Sequence, residues 1–172
     1  MTTSPTDLFR ARRSHRLFLD DPVPDNVVRD ILDCGRLAPT ANNLQPWLLG
    51  AVTDPVLRGR IADITDHGKF IAKAPLCFAV FVLAAEKYFL EDGCAATMNI
   101  ILSAQAHGLG TCWVAGHKKA YAEEVRRLLG VPEGYTLVSL VPAGKPADDP
   151  RPKKKPLAEV AFWECCPKGK EA

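Results

Sequence analysis

Apolar residues recur along this chain at two spacings, and each spacing predicts a kind of element. Beyond Asp25, residues Val27, Val28, Ile31, Leu32 and Gly35 recur at helical intervals on one face. An amphipathic helix is predicted there, ending before Pro39. Ser4-Pro5-Thr6-Asp7 offers a hydroxyl cap, a proline in the first turn and an acid three residues after the cap. This pattern starts a short helix that should run to about Arg12. Asp54-Pro55 caps a third helix, with Leu57, Ile61 and Ile64 on one side. Ala120 to Leu129 turns Tyr121, Val125, Leu128 and Leu129 inward and is closed by Gly130 and Pro132.

Other segments predict strands. Trp47 to Val52 is a short apolar run, and Pro75 to Ala84 is almost wholly apolar. The latter is expected to be a central strand buried on both faces. Thr111 to Ala115 and Thr136 to Val141 add two more, and alternation in Glu159 to Trp163 predicts a last strand at an edge. Thr65 to Lys73 reads as a polar loop. Asp92 to Gly108 is helical in length and carries no charge between Asp92 and His107. A helix apolar all round must be buried all round. A chain this small has little core to cover every side, so one face is expected to meet a second subunit. Helices and strands do not alternate as regular βαβ units, and no internal repeat is present. The predicted class is α+β, a mixed sheet with helices on its faces.

Composition narrows the function classes. The 172 residues suffice for one domain, 1–172, with a core of its own. Hydrophobic residues make up 47%, charged residues 24%, and the net charge is +2, so the bulk composition calls for neither nucleic acid nor an anionic membrane. Met1 to Asp7 contains no apolar signal core. Gly93 to Ala106 falls short of the ~20 apolar residues that span a bilayer. A soluble cytoplasmic protein is expected. The six cysteines form no CxxC. Cys34, Cys77 and Cys94 sit in apolar runs and read as buried, reduced thiols. Cys165 and Cys166 are adjacent, a placement that rarely gives an unstrained bridge.

Two segments carry chemistry. Arg12-Arg13-Ser14-His15-Arg16, just after Arg10, gathers guanidinium groups and a hydroxyl that match phosphate oxygens. Its plain structural reading is a solvated helix end, where cations favour the dipole. Asn42, Asn43 and Gln45, bracketed by Pro39 and Pro46, carry amides that both donate and accept. Their plain reading is a loop whose side chains bond their own backbone. Taken together, the two segments suit one ligand with an anionic end and a flat, hydrogen-bonding end. Other motifs fail. Gly108-Leu-Gly110 follows a helix and has Trp113 where a dinucleotide loop needs a third glycine. His15, His67, His107 and His117 lack metal-ligand spacing. The basic run Arg151 to Lys155 is broken by prolines and has no interleaved aromatics, which argues against nucleic acid. No nucleophile–base pair is evident.

Four features in order resemble the nitroreductase family of FMN-dependent oxidoreductases. They are Arg12-Arg13-Ser14-x-Arg16; Ala38-Pro39-Thr40-Ala41-x-Asn43-x-Gln45-Pro46-Trp47; the Ala-rich helix followed by Gly108-Leu-Gly-Thr-Cys-Trp-Val-Ala-Gly116; and Gly144-Lys-Pro followed by a basic run and Pro156-Leu-Ala-Glu-Val160. The match spans about residues 7 to 164. The resemblance implies a mainly antiparallel sheet in an intertwined homodimer that holds two FMN molecules at its interface. Residues 144–172 would then be an arm that crosses to the partner. Arg12 and Ser14 would hold the phosphate and ribityl chain, Arg13 would add donors, and Arg16 would sit near N1 and O2 of the ring. Pro39, Thr40, Ala41 and Asn43 would come from the other subunit. Ala115 and Gly116 would run beside the ring, with a backbone N–H near N5. One of Lys153, Lys154 and Lys155 would close on the phosphate, and His67 is a candidate for the pyrimidine edge. The implied activity takes hydride from NADH or NADPH and passes it to a small planar acceptor, a nitroaromatic or quinone, by a ping-pong route with no catalytic side chain. The alternative is a flavin-binding or regulatory module with little turnover. The chain lacks the longer insertion of larger relatives, having only Ala85 to Glu91 there, so Tyr88 and Phe89 are expected to roof the pocket instead.

Overall fold

The computed structural model describes residues 4–166. Its centre is the strand β2, Leu76–Leu83, and the reason lies in its side chains. Successive residues of a strand point to opposite faces. Leu76, Phe78, Val80 and Val82 enter one apolar cluster, while Cys77, Ala79 and Phe81 enter another. Both faces of β2 are therefore covered, as its unbroken apolar run predicts. Burial also pushes the Cys77 thiol up to about 12.

Two antiparallel neighbours flank β2. The strand β1, Trp47–Val52, pairs from Trp47↔Val82 to Val52↔Cys77. On the other side the ten-residue β5, Tyr135–Gly144, pairs from Leu76↔Ala143 to Leu83↔Tyr135, with a register shift between Val80 and Phe81. The sheet order is β1-β2-β5-β3, where β3 is Gly110–Thr111; β4, Val114–Ala115, also pairs with β5. The single strand predicted over Thr111 to Ala115 is thus broken at Cys112 and Trp113. All these ladders are antiparallel, whereas an isolated bridge joins Ser14 to Thr111 in parallel.

Helices cover the two faces. After the short α1, Asp7–Ala11, the amphipathic α2, Asp25–Arg36, buries Val28 and Ile31 in the first cluster together with α4, Phe89–Ala106, with Gly35 buried close against Ile100. On the opposite face lie α3, Pro55–Ile64, and α5, Ala122–Leu128. Asp54 starts α3 by accepting the Leu57 N–H at 2.8 Å, a cap that contributes about 1 kcal/mol. The expected polar loop at 65–73 is more ordered than its composition suggests. Lys69–Lys73 forms a 3₁₀ turn with Ile71 fully buried, because one apolar residue there completes the second cluster.

Two expectations for α4 and the tail meet the structure differently. Helix α4 begins three residues before Asp92 and presents Met98 to solvent, with Cys94, Ala95 and Leu102 half-buried beside it. The strand expected at Glu159 to Trp163 is absent. Leu157–Val160 forms the short helix α6, and Leu157, Val160, Phe162 and Trp163 are exposed. A strand needs a neighbour to satisfy its backbone, and no ladder reaches this segment among the described residues. Residues 167–172 of the expected arm, like Met1 to Thr3 of the N-terminal reading, lie outside the described residues. Among the described residues no helix is long and apolar enough to cross a membrane.

Candidate functional site

The Arg-rich segment is stitched along the β3 end of the sheet. The His15 N–H donates to the Thr111 carbonyl at 2.8 Å, next to the Ser14–Thr111 bridge. Further along, the Leu19 N–H meets the Lys145 carbonyl and the Ala147 N–H meets the Leu17 carbonyl, both at 2.9 Å. These bonds anchor Ser14 to Leu19 between β3 and the chain that leaves β5. Close approach is required at Gly110, where a Cβ would stand 2.7 Å from the His15 ring.

The arginines of the segment then separate by role. Arg13 curls back to donate to the carbonyls of Arg10 and Arg12 at 2.5 and 2.9 Å, satisfying the exposed end of α1. Arg10 pairs with Asp7. Arg12 and Arg16 have no carboxylate partner among the described residues. The Arg16 guanidinium lies over the Phe70 ring, 5.9 Å from its centroid. Both guanidinium groups act on the Cys112 thiol, which burial raises and these two cations lower.

Arg16 borders a cavity of about 250 Å³ whose walls include His67, Phe70, Trp113, Ala115, Lys119 and Tyr121. Arg16, His67 and Ala115 of the predicted set meet here. Phe70, Cys112, Trp113, Lys119 and Tyr121 were not predicted. The three aromatic residues Phe70, Trp113 and Tyr121 carried the only sequence signal, aromaticity, and it does not separate a cavity wall from core.

The rim at Ala115 has a definite hydrogen-bonding sense. Gly116 donates to the Val138 carbonyl at 2.9 Å, which makes Gly116 and Val138 a hydrogen-bonded pair. Paired residues alternate in an antiparallel ladder. Ala115, opposite Ser139, therefore turns its N–H and C=O away from β5. The Tyr121 hydroxyl donates to that carbonyl. Burial raises the Tyr121 phenol, helped by Asp66, so it remains a donor. Of the two residues expected beside a ring, Ala115 thus presents the outward N–H, while the N–H of Gly116 is committed to the sheet.

The amide-rich loop is a separate structure. Asn42, Asn43 and Gln45 have φ values of 51°, 56° and 51°, three left-handed residues in four positions. Such backbone costs about 1 kcal/mol or more per residue unless its surroundings hold it. Two bonds do so. Thr40 Oγ1 accepts the Gln45 N–H at 3.1 Å, and Asp92 Oδ1 accepts the Ala41 N–H at 3.2 Å. Asp92 is buried in the first turn of α4, and its Oδ2 has no partner. Pro39, Thr40, Ala41 and Asn43 do not line the Arg16 cavity. Within one chain the two predicted halves of the site share no cavity wall. Lys153, Lys154 and Lys155 are exposed on the chain beyond β5. Phe89 packs edge-on against His117 at 5.4 Å, and Tyr88 lies beneath Lys87. Neither lines the Arg16 cavity.

The molecule is thus an α+β sheet protein with an unpaired guanidinium group, Arg16, beside an aromatic-walled cavity and a backbone N–H turned outward at Ala115. Comparison with known proteins gives that class its family. The model described as the Nitroreductase family matches residues 9–76 and 67–145, and the chain belongs to this family. A protein of Archaeoglobus fulgidus, named as a candidate NADH dehydrogenase/NAD(P)H nitroreductase, is 32% identical over 147 residues, covering 80% of this chain and 83% of its own. Among solved structures, a candidate NADH dehydrogenase/NAD(P)H nitroreductase from Bacteroides thetaiotaomicron superposes with a TM-score of 0.89 at 26% identity, over 95% of this chain and 99% of the other. A candidate nitroreductase from Desulfovibrio desulfuricans, solved in complex with FMN, gives 0.81 at 27% identity, over 97% of this chain and the whole of the other.

Proposed function

We propose that this protein is a cytoplasmic, FMN-dependent oxidoreductase that takes hydride from NADH or NADPH and reduces a small planar acceptor, a nitroaromatic or quinone, by a ping-pong route. The observation that carries the reading is the unpartnered guanidinium group of Arg16 at a cavity rimmed by the outward-facing backbone of Ala115, with a second unpartnered guanidinium, Arg12, acting on the Cys112 thiol of the same cavity wall. The donor set fits the cofactor: guanidinium for a phosphate and for the electron-rich pyrimidine edge, a hydroxyl at Ser14 for the ribityl chain, a backbone N–H for a ring nitrogen. Bound FMN would supply the electron chemistry. The protein's own part is to bind, orient and tune. A cation at Arg16 favours negative charge at the pyrimidine edge, and Trp113 and Phe70 exclude water from the cavity wall.

The site we propose is shared between two copies of one 172-residue domain. Pro39, Thr40, Ala41 and Asn43 would reach the ring from the partner, which accounts for their absence from the Arg16 cavity within one chain. The exposed apolar residues Met98, Leu157, Val160, Phe162 and Trp163 support such an interface, as does the lack of sheet pairing for the arm. The arm would carry Lys154 and Lys155, with Lys153, towards a phosphate. The reading needs neither nucleic acid nor a membrane as partner.

The purified protein is expected to be yellow, or to become so with added FMN, and to bleach on addition of NADH or NADPH and recover with an acceptor. A colourless protein that refuses FMN sinks the reading. Slow bleaching that no acceptor accelerates points instead to a flavin-binding module with little turnover. Sedimentation showing a stable flavin-bound monomer removes the shared site.

A further inference from the structure

We propose that Asp148 and His15 form a positioning pair for the phosphate end of the site, a carboxylate–imidazole clip that sets the Ser14–Arg16 backbone in register with the root of the lysine-bearing arm; this rests on the FMN reading above. Asp148 Oδ1 lies 2.6 Å from His15 Nδ1, and its Oδ2 accepts the Arg16 N–H at 3.1 Å. Both oxygens are thus engaged by the Arg-rich segment, across more than 130 residues of sequence. His15 is only 8% exposed, and its ring is backed by Gly110, where no side chain would fit. A buried histidine facing its own carboxylate is a fixed part of the scaffold and does not itself reach a ligand.

The clip also explains why Arg12 and Arg16 stay unpaired. Asp148 is the carboxylate beside them, and its hydrogen bonds go to an imidazole and a main-chain N–H instead of to a guanidinium. The next acid, Asp149, is taken by Arg151 at 2.6 Å. Acidic charge close to the cluster is therefore committed elsewhere, and the guanidinium groups remain for an anion. Partial burial works against ionisation of Asp148, yet the N–H of Arg16 and the ring of His15 hold its carboxyl below the ordinary value. The charged neighbours of the pair are Arg12, Arg13 and Arg16 on one side and Asp149 on the other.

A positioning role aimed at the phosphate makes a selective prediction. FMN and riboflavin share the ring and ribityl chain and differ in the phosphate. In His15→Leu and Asp148→Ala, FMN affinity should fall by about tenfold and riboflavin affinity by clearly less, because riboflavin uses the Ser14 and Arg16 contacts but has no phosphate to be held between Arg12 and the lysine-bearing arm. His15→Asn keeps a donor near the Nδ1 position and should recover most of the FMN affinity. The ratio is read on variants whose circular dichroism matches wild type; if His15→Leu does not fold, the near-isosteric Asp148→Asn carries the comparison. A ratio unchanged in folded variants, or both flavins weakened equally, overturns the role of the pair. A wild-type protein that takes up neither flavin overturns the FMN reading, and this inference falls with it.

Discussion

The strap from Ser14 to Leu19 and the loop from Pro39 to Gln45 carry equally polar sequences but are held in opposite ways. The strap is bonded to β3 through His15, to the chain beyond β5 through Leu17 and Leu19, and to Asp148 through both carboxylate oxygens. The loop contains three left-handed residues and is fastened by Asp92 and Thr40. One region is complete within a single chain. The other is displayed outward, with Asn43, Leu44 and Gln45 exposed. A proposed site assembled from two such regions has one half preformed and one half whose shape is sustained against strain, which is what a contact supplied to a second copy requires.

The largest expected effect falls on the strap. Arg12→Ala removes a charge-assisted contact to the proposed phosphate and should weaken FMN by about 2–3 kcal/mol, or roughly 30- to 150-fold in Kd. An unchanged Kd by flavin fluorescence titration takes Arg12 out of the site. Next comes the packing beneath the strap. Gly110→Ala places a methyl group 2.7 Å from the His15 ring, and stability should fall by about 1–3 kcal/mol in urea denaturation. A neutral outcome there means that the strap is free to shift.

Acid should separate the two regions at smaller amplitude. The folded-state pKa of Asp148 lies below its ordinary value, so the clip contributes stability above that value and loses it as pH falls through the folded-state pKa. Urea midpoints of wild type should therefore drop faster than those of Asp148→Asn below about pH 4. Parallel curves contradict the assignment. The smallest effect belongs to the loop. Gln45 holds φ 51°, a conformation that glycine adopts without strain. Gln45→Gly should raise stability by up to about 1 kcal/mol, offset in part by the entropy of the unfolded chain. A loss of stability instead would show that the Gln45 side chain, which donates to the Asn43 carbonyl at 3.4 Å, holds the loop.

How far the molecule is legible in its sequence depends on the range of the interaction. The β1 run is found at Trp47–Val52 as its composition predicts, and Asp54-Pro55 starts α3 through a contact three residues away. Arg12, Ser14 and Arg16 stand out because their chemistry is concentrated in five consecutive residues. Phe70, Lys119 and Tyr121 line the cavity beside Arg16 without any local pattern that sets them apart from core or surface. Alternation in Glu159 to Trp163 misleads because alternation alone does not supply the strand that must lie alongside.

Spacing along the chain determined the helical faces, the doubly buried β2, the capped start of α3 and the two polar segments, since each follows from periodicity or from contacts within a few residues. Tertiary structure alone decided that Asp148 would clip His15, that Asp92 would hold Ala41, and that the strand beyond Gly110 would break to turn Ala115 outward. Those partners are separated by tens to more than a hundred residues. Only after the sheet has closed those loops do the groups come within hydrogen-bonding reach.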